Sequence, residues 1–426
     1  MKTPFKWDNY SDQPALLTDK VYKKRMRKKE LPSLLTTVAT ALVTLPLSIV
    51  MMPFIKRREI NSQTFFSMGV DFERNPKEAH QFIEELGVKH ILVRCKLWEM
   101  QKLPELLSFL QNHKDKTVTL KILQDREHIE DLILLEKDLH TIFTTLQEYV
   151  TYFEIGSTIN RAKWGFFSVK EYLGFFQVAY TLKQQHFQNI KLLGSGVIDF
   201  EFHFTAHTLF NLCKCRYDAT ATLLYVDRRG APENTQLGFS LMDKIALLST
   251  MVWLSPKTKQ RLHITETNWP LSNTAPYAPT SEHECVSEQH YCDYMLRYHF
   301  LTFASQQVDS ISWHQLIARG YGLVDTKDGL RKREAFQAYT FMVKTFQTAQ
   351  FLRLDIKREY YILQIWVDEQ LIQIHWSLKN TTLKNENYFD AYDKLGKPIT
   401  REIIKIGSAP VYLFITKAQP QHINCV

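Results

Sequence analysis

From Thr64 onward, short apolar runs alternate with stretches whose apolar residues recur at spacings of three and four, the pattern of a parallel sheet wound with helices. Strands are predicted at Phe65–Phe72, His90–Leu97, Thr117–Leu123, Thr151–Ser157, Ile190–Ile198, Ala219–Val226, Arg261–Thr267 and Asp309–His314. Helices are expected between them, among them Pro76–Leu86, Pro104–Leu110, Val169–Gln185 and Gly238–Trp253. Eight such units over about 280 residues fit a closed (β/α)8 barrel, a fold that needs about 250 residues, better than an open doubly wound sheet. After Thr345 the period changes to two, as in Tyr360–Val367, Leu371–Trp376 and Ser408–Ile415, which predicts a small antiparallel β domain beside the barrel. The expected organisation is a basic tail at 1–30, an apolar segment at 31–55, a barrel at 59–345 and the β domain at 346–426.

The segment Leu31–Ile55 carries no charged residue. As a helix its 25 residues would rise roughly 37 Å at about 1.5 Å each, enough to cross a hydrocarbon core of about 30 Å. Six bases lie among the eight residues before it, and Lys56, Arg57 and Arg58 follow it. The expectation is a single-pass protein of the inner (cytoplasmic) membrane, with a cytoplasmic N-terminus and the barrel in the periplasm or outside the cell. Two readings compete. A cleaved signal peptide would have a shorter charged leader and a small-residue cleavage site, and a buried soluble helix would be kinked by Pro46, which membrane helices tolerate more readily.

Net charge adds one exclusion. The formal charge is +8, but residues 1–58 hold 12 Lys/Arg against 4 Asp/Glu, and the remainder of the chain balances. No nucleic acid partner is expected, since the folded part has no basic excess. Gly-rich phosphate loops and metal-ligand spacings are missing from the strand ends, so neither a cofactor nor a metal is assigned. Of the six cysteines, Cys285 and Cys292 share one segment, and a disulfide between them or buried free thiols are both open readings.

Barrel enzymes place their chemistry at the C-terminal ends of the strands. The seventh strand ends in His263-Ile-Thr-Glu-Thr-Asn-Trp-Pro270, with Glu266 among aromatic and polar residues. A carboxylate there suits attack on an anomeric carbon or stabilisation of an oxocarbenium-like centre. The fourth strand contributes Phe153-Glu-Ile-Gly-Ser-Thr-Ile-Asn160, followed by Trp164. With these two motifs, residues 64–415 resemble the clan A glycoside hydrolases, whose fourth strand ends in an Asn-Glu-type motif bearing the acid/base and whose seventh bears the nucleophile. The resemblance implies Glu266 as nucleophile, Arg94 as the arginine that orients it, Tyr225 as a tyrosine touching it and Trp313 as the aromatic platform under the sugar. Trp269, Trp164 and Asn160 complete the expected sugar-binding set.

The sequence departs from that pattern where Ser157 stands for the asparagine and Thr158 for the acid/base glutamate. A threonine hydroxyl does not titrate near neutrality, so two-carboxylate hydrolysis lacks its general acid. Glu154 shares the face of Thr158 but lies roughly 13 Å deeper at about 3.3 Å per residue, and is expected to be structural. Asp199, Glu201 and Asp227 lie in loops that reach the cleft, with no motif marking any of them as the acid. His203 and His207 flank the same loops and are expected at the surface or in packing.

The expected function is therefore a membrane-anchored, glycoside-hydrolase-like protein acting on or binding a cell-envelope glycan, with retaining chemistry through Glu266 if active. The alternative is a pseudoenzyme that serves as a glycan-binding or scaffold protein in envelope polysaccharide or lipopolysaccharide assembly. An open aromatic-lined cleft around Glu266 favours the binder, and its absence favours the scaffold.

Overall fold

A computed structural model describes residues 5–385 and 389–416. Eight parallel strands close on themselves: β1 (Phe66–Val70), β2 (His90–Lys96), β3 (Thr117–Leu123), β4 (Tyr152–Ile155), β5 (Leu192–Ile198), β6 (Ala219–Leu223), β7 (Leu262–Thr267) and β8 (Ser310–Trp313). β8 pairs in parallel with both β7 and β1, so the barrel has no free edge. All eight predicted strands are present. β4 and β6 end earlier than expected; after β4, Gly156 takes φ +76° and Gln124 accepts a hydrogen bond from the Ser157 backbone, which turns the chain into the loop carrying Thr158.

Outside the strands, α3 (Pro76–Leu86), α4 (Leu103–Gln111), α5 (Leu132–Leu146), α6 (Val169–Gln185), α7 (Phe202–Leu209), α8 (Leu241–Leu254), α9 (Glu288–Ser305) and α10 (Glu334–Phe346) form the outer layer. Their ends are written locally. Pro76 opens α3, where its missing N–H costs nothing, and Ser240 with Asp243 forms a reciprocal capping box on α8.

The chain then forms a five-stranded antiparallel sheet in the order β9 (Gln350–Lys357), β10 (Tyr360–Val367), β11 (Gln370–Ser377), β15 (Val411–Ile415) and β13 (Phe389–Tyr392). A separate pair, β12 (Thr381–Lys384) with β14 (Ile403–Ile406), flanks it. Trp376 anchors the sheet to the barrel: its ring packs on Phe300 of α9 and its N–H donates to Glu233 at 2.9 Å. Cys285 and Cys292 are free thiols rather than a disulfide, because Cys292 points into the core from α9 while Cys285 bonds to the Ser281 carbonyl. Cys425 lies outside the described residues.

The N-terminal region departs most from expectation. Trp7–Asp8 pairs antiparallel with Gln13–Pro14, and this small hairpin sits on the mouth of the barrel. Gln13 donates to the Pro279 carbonyl at 2.9 Å and accepts from Lys163 at 2.6 Å, while Trp7 packs against Trp98 and edge-on to Trp164. Basic α1 (Lys20–Lys29) leads into α2 (Leu31–Met51), which with the following turn to Phe54 is long and apolar enough to cross a membrane. However, α2 lies along the barrel's flank, with Ser33, Thr37, Ala41 and Ser48 turned inward and Thr37 bonded to His207 at 2.7 Å. Residues 5–30 and the barrel mouth are in contact in this structure. Asp12 is ion-paired with Arg94 inside the barrel mouth.

Candidate active site at the barrel mouth

Glu266 is the penultimate residue of β7 and is buried at the C-terminal end of the barrel. Its Oε2 accepts from Arg94 of β2 at 3.0 Å and from Lys121 of β3 at 3.3 Å. Its Oε1 accepts from the Tyr225 hydroxyl, just beyond β6, at 2.8 Å. Burial by itself would raise the carboxyl's pKa. Lys121, His314 and Arg94 outweigh it and, with the Tyr225 hydrogen bond, hold Glu266 ionised, well below the usual carboxylate range.

Arg94, Lys121 and Glu154 stand opposite one another on β2, β3 and β4 and form one level of charge across the barrel interior. Glu154 is fully buried, bonded to the Thr265 hydroxyl at 2.9 Å and 3.6 Å from Lys121. Burial pushes its carboxyl up to about 7, and the Lys121 ammonium only partly offsets that. It is not among the residues that wall the cavity.

The cavity above Glu266 has a volume of about 170 Å³ and is walled by Arg94, Thr158, Trp164, Tyr225, His314 and Tyr321. Its roof is Ser11, Asp12 and Gln13 from the N-terminal hairpin. Arg94 donates Nη1 to Asp12 at 3.0 Å while Nη2 holds Glu266, and Arg74 stands 3.8 Å from the other Asp12 oxygen. Burial would raise the Asp12 pKa, but the two guanidiniums outweigh it and keep the group ionised. Arg94 itself is held more firmly protonated by the two carboxylates.

The remaining expected residues divide. Thr158 reaches the cavity wall from a left-handed backbone position, φ +53°, with Ser157 Oγ 3.3 Å from its hydroxyl. Trp164 lines the cavity but is covered by Trp7. Trp313 and Trp269 stack on one another behind the cavity, fully buried, with their indole N–H groups spent on Tyr291 and on the Arg229 and Gly230 carbonyls. Neither offers an open platform. Asn160 does not face the cavity: it bonds to both backbone groups of the barrel rim, the Ile198 N–H and carbonyl, and to Glu201.

Other acids near the mouth are committed. Arg161 clasps Asp199 at 2.7 Å and Glu201 at 2.6 Å, and neither lines the cavity. Among the described residues, His80, Glu84 and His113 form the one group of three ligand-type side chains close enough for an ion, on the outer flank of α3. There Lys116 already pairs with Glu84 at 2.8 Å.

Sequence reasoning missed Lys121 and Asp12. Lys121 was legible in part, as the single charge in the inward alternation of Thr117–Leu123. Asp12 carried no signal of its own, because the segment reads as the leader of a membrane helix.

Solved structures share this architecture. A family 39 glycoside hydrolase from Bacteroides cellulosilyticus WH2 superposes with a TM-score of 0.63 at 11% identity, covering 84% of this chain and 82% of that one. The chain has the fold of the clan A glycoside hydrolases. A family 30 endoxylanase from Clostridium papyrosolvens C71 gives a TM-score of 0.58 at 8% identity, covering 84% and 97% of the two chains. A family 51 arabinofuranosidase from Xanthomonas axonopodis pv. citri gives 0.54 at 11%, with coverage of 84% and 97%. No family model and no curated protein sequence matches the chain. At these identities the likeness establishes the fold of the barrel with its trailing β domain, and nothing about the substrate.

Proposed function

We propose that this chain is a glycosidase-like barrel that binds a glycan of the cell envelope around Glu266 and does not hydrolyse it by the two-carboxylate route. In this reading the sugar subsite is closed by the chain's own N-terminal hairpin. The observation that carries it is the shared guanidinium: Arg94 holds Glu266 with one arm and Asp12, the roof of the cavity, with the other.

The chemistry follows from protonation. A general acid must hold a proton at working pH and reach the leaving-group oxygen. Thr158 stands in the acid's place and has no titratable proton. Asp12 reaches the cavity but is ionised by Arg94 and Arg74. Glu154 can hold a proton near neutrality, but it faces Lys121 and Thr265 below the floor. A bound sugar would instead meet a fixed negative charge, the Tyr225 hydroxyl and the Trp164 ring once the hairpin withdraws.

One observation favours a second reading, in which Glu266 is a working nucleophile. Its ionised state and its three donors are what a retaining enzyme requires. Dinitrophenyl glycosides separate the two, because their leaving group departs without protonation. Binding without phenolate release supports the binder; a burst abolished by Glu266→Gln supports the enzyme. Absence of any sugar binding in a folded Asp12→Ala variant overturns both.

A further inference from the structure

The outward face of α2 has no partner. Leu34, Leu35, Val38, Leu42, Val43 and Val50 point away from the barrel, with Leu42 72% and Val43 69% exposed. The opposite face is small and polar and is fixed to the barrel: Ser33 Oγ accepts from the Lys170 N–H at 3.2 Å, Thr37 bonds to His207, and Glu30, at the helix start, accepts from Ser168 at 2.6 Å. This is the reverse of a helix belonging to a soluble core, which turns its apolar stripe inward.

The chain on either side of α2 is tied to opposite ends of the same barrel. Before it, the hairpin binds Arg94 at the C-terminal mouth. After it, Arg58 binds Asp309 at 2.9 Å, at the start of β8 and hence at the opposite end. The helix therefore runs the height of the barrel, its 21 residues rising about 31 Å at about 1.5 Å each. Were α2 to cross a bilayer, one of these two attachments would be torn away.

Charge flanks the apolar face at both ends. Lys24, Arg27, Lys28 and Lys29 are exposed on α1, and Lys56 and Arg57 are exposed beyond the helix. Nearby, Phe54 and the half-exposed Trp253 line one cleft at the end of α2, adding aromatic surface of the kind that settles at lipid headgroup level. An apolar helical face bracketed by exposed bases and interfacial aromatics suits an anionic lipid leaflet, in which such a helix lies parallel to the surface.

We infer that α2 docks the protein in the plane of one anionic leaflet, half-embedded through Leu34–Val50, with the N-terminal tail and the barrel on the same side of the membrane. This inference stands whether or not the barrel binds a glycan.

The test adds the purified full chain to preformed sealed vesicles of phosphatidylcholine, with or without phosphatidylglycerol, and follows flotation. Selective flotation with the phosphatidylglycerol vesicles, weakened by salt, is expected. The double variant Leu42→Glu/Val43→Glu should reduce the bound fraction at least tenfold while keeping the circular dichroism and melting temperature of the parent, since both side chains face outward. An N-terminal epitope and the barrel should both be open to protease from outside the vesicles and, for protein expressed in cells, both be reached from one side of the isolated membrane. Tail and barrel protected on opposite sides would overturn the inference in favour of a spanning helix. Equal binding to both lipid mixtures, or a dimer that the double variant dissociates with no vesicle binding, would overturn it as well.

Discussion

Asp12 and Glu266 bind opposite arms of one guanidinium, each 3.0 Å from a terminal nitrogen of Arg94. One carboxylate comes from the end of a barrel strand and the other from a hairpin more than two hundred residues away in sequence, so closure of the mouth and the charge state of the site are linked through a single side chain. Removing Asp12 leaves Arg94 with Glu266, which limits the damage to the barrel, but takes away the hairpin's one buried charged anchor. Asp12→Ala should therefore speed amide exchange over residues 7–14 by about tenfold, equivalent to about 1.4 kcal/mol, with little change at β7. Mass-resolved hydrogen exchange reads both regions in one experiment.

Glu154 makes a signed pH prediction. Its carboxyl is raised from 4.5 to about 7 in the folded chain, so its stabilising contribution is complete below the unfolded value and is lost as pH rises through about 7. At about 1.36 kcal/mol per pH unit this corresponds to about 3 kcal/mol between pH 4.5 and 7. Chemical denaturation across that range should show the parent losing stability with rising pH relative to Glu154→Gln, whose profile should be flatter.

Glu266 has the opposite sign. Its depressed pKa contributes stability that is present above the unfolded carboxylate value and is lost as pH falls below it. Glu266→Gln should therefore remove part of the acid sensitivity below about pH 4.5 and, because the Glu266 charge helps to raise Glu154, also lessen the loss of stability between about pH 4.5 and 7. A variant that steepened the acid limb would show that the three donors do not hold the carboxylate.

Much of this was legible in the sequence. The short apolar runs between helical patterns marked all eight barrel strands, because strands enclosed by a helical layer are buried on both faces, and the strand-end motif singled out Glu266. Arg94 and Tyr225, named from the family resemblance, both bond to Glu266. Trp313 and Asn160 show the limit: an aromatic or amide at a strand end is read the same way whether it faces a ligand or its own neighbours, and here Tyr291 and the Ile198 backbone hold them. The hairpin was illegible because its partners lie far along the chain and the apolar run after it imposed a bilayer between them.

Trp313 supplies the corresponding test. Since its ring is packed between Trp269, Tyr291 and His299, Trp313→Ala should cost about 3–5 kcal/mol of stability, seen as a large fall in melting temperature. Loss of sugar binding in that variant would report unfolding, whereas Trp164→Ala probes the cavity wall directly.

Restoring the missing pair tests the acid's absence. Ser157→Asn with Thr158→Glu, in the Asp12→Ala background so that the cavity is open, should create or raise hydrolysis of a natural glycoside the chain binds. Because residue 158 already holds a left-handed backbone that a β-branched side chain tolerates poorly, replacing threonine there should not destabilise the loop. A folded triple variant that binds but remains inert would place the defect in the backbone geometry rather than in the lost carboxyl.

The central claim, that the hairpin occupies a sugar subsite built on Glu266, is tested most directly by calorimetric titration of a panel of iminosugars, whose protonated ring nitrogen complements that carboxylate, into the full chain, Asp12→Ala and Asp12→Ala/Glu266→Gln. The account predicts that at least one iminosugar binds Asp12→Ala tenfold or more tighter than the parent, and that the gain vanishes when Glu266 is also replaced. Equal affinity for parent and Asp12→Ala, or binding indifferent to Glu266→Gln, would contradict it.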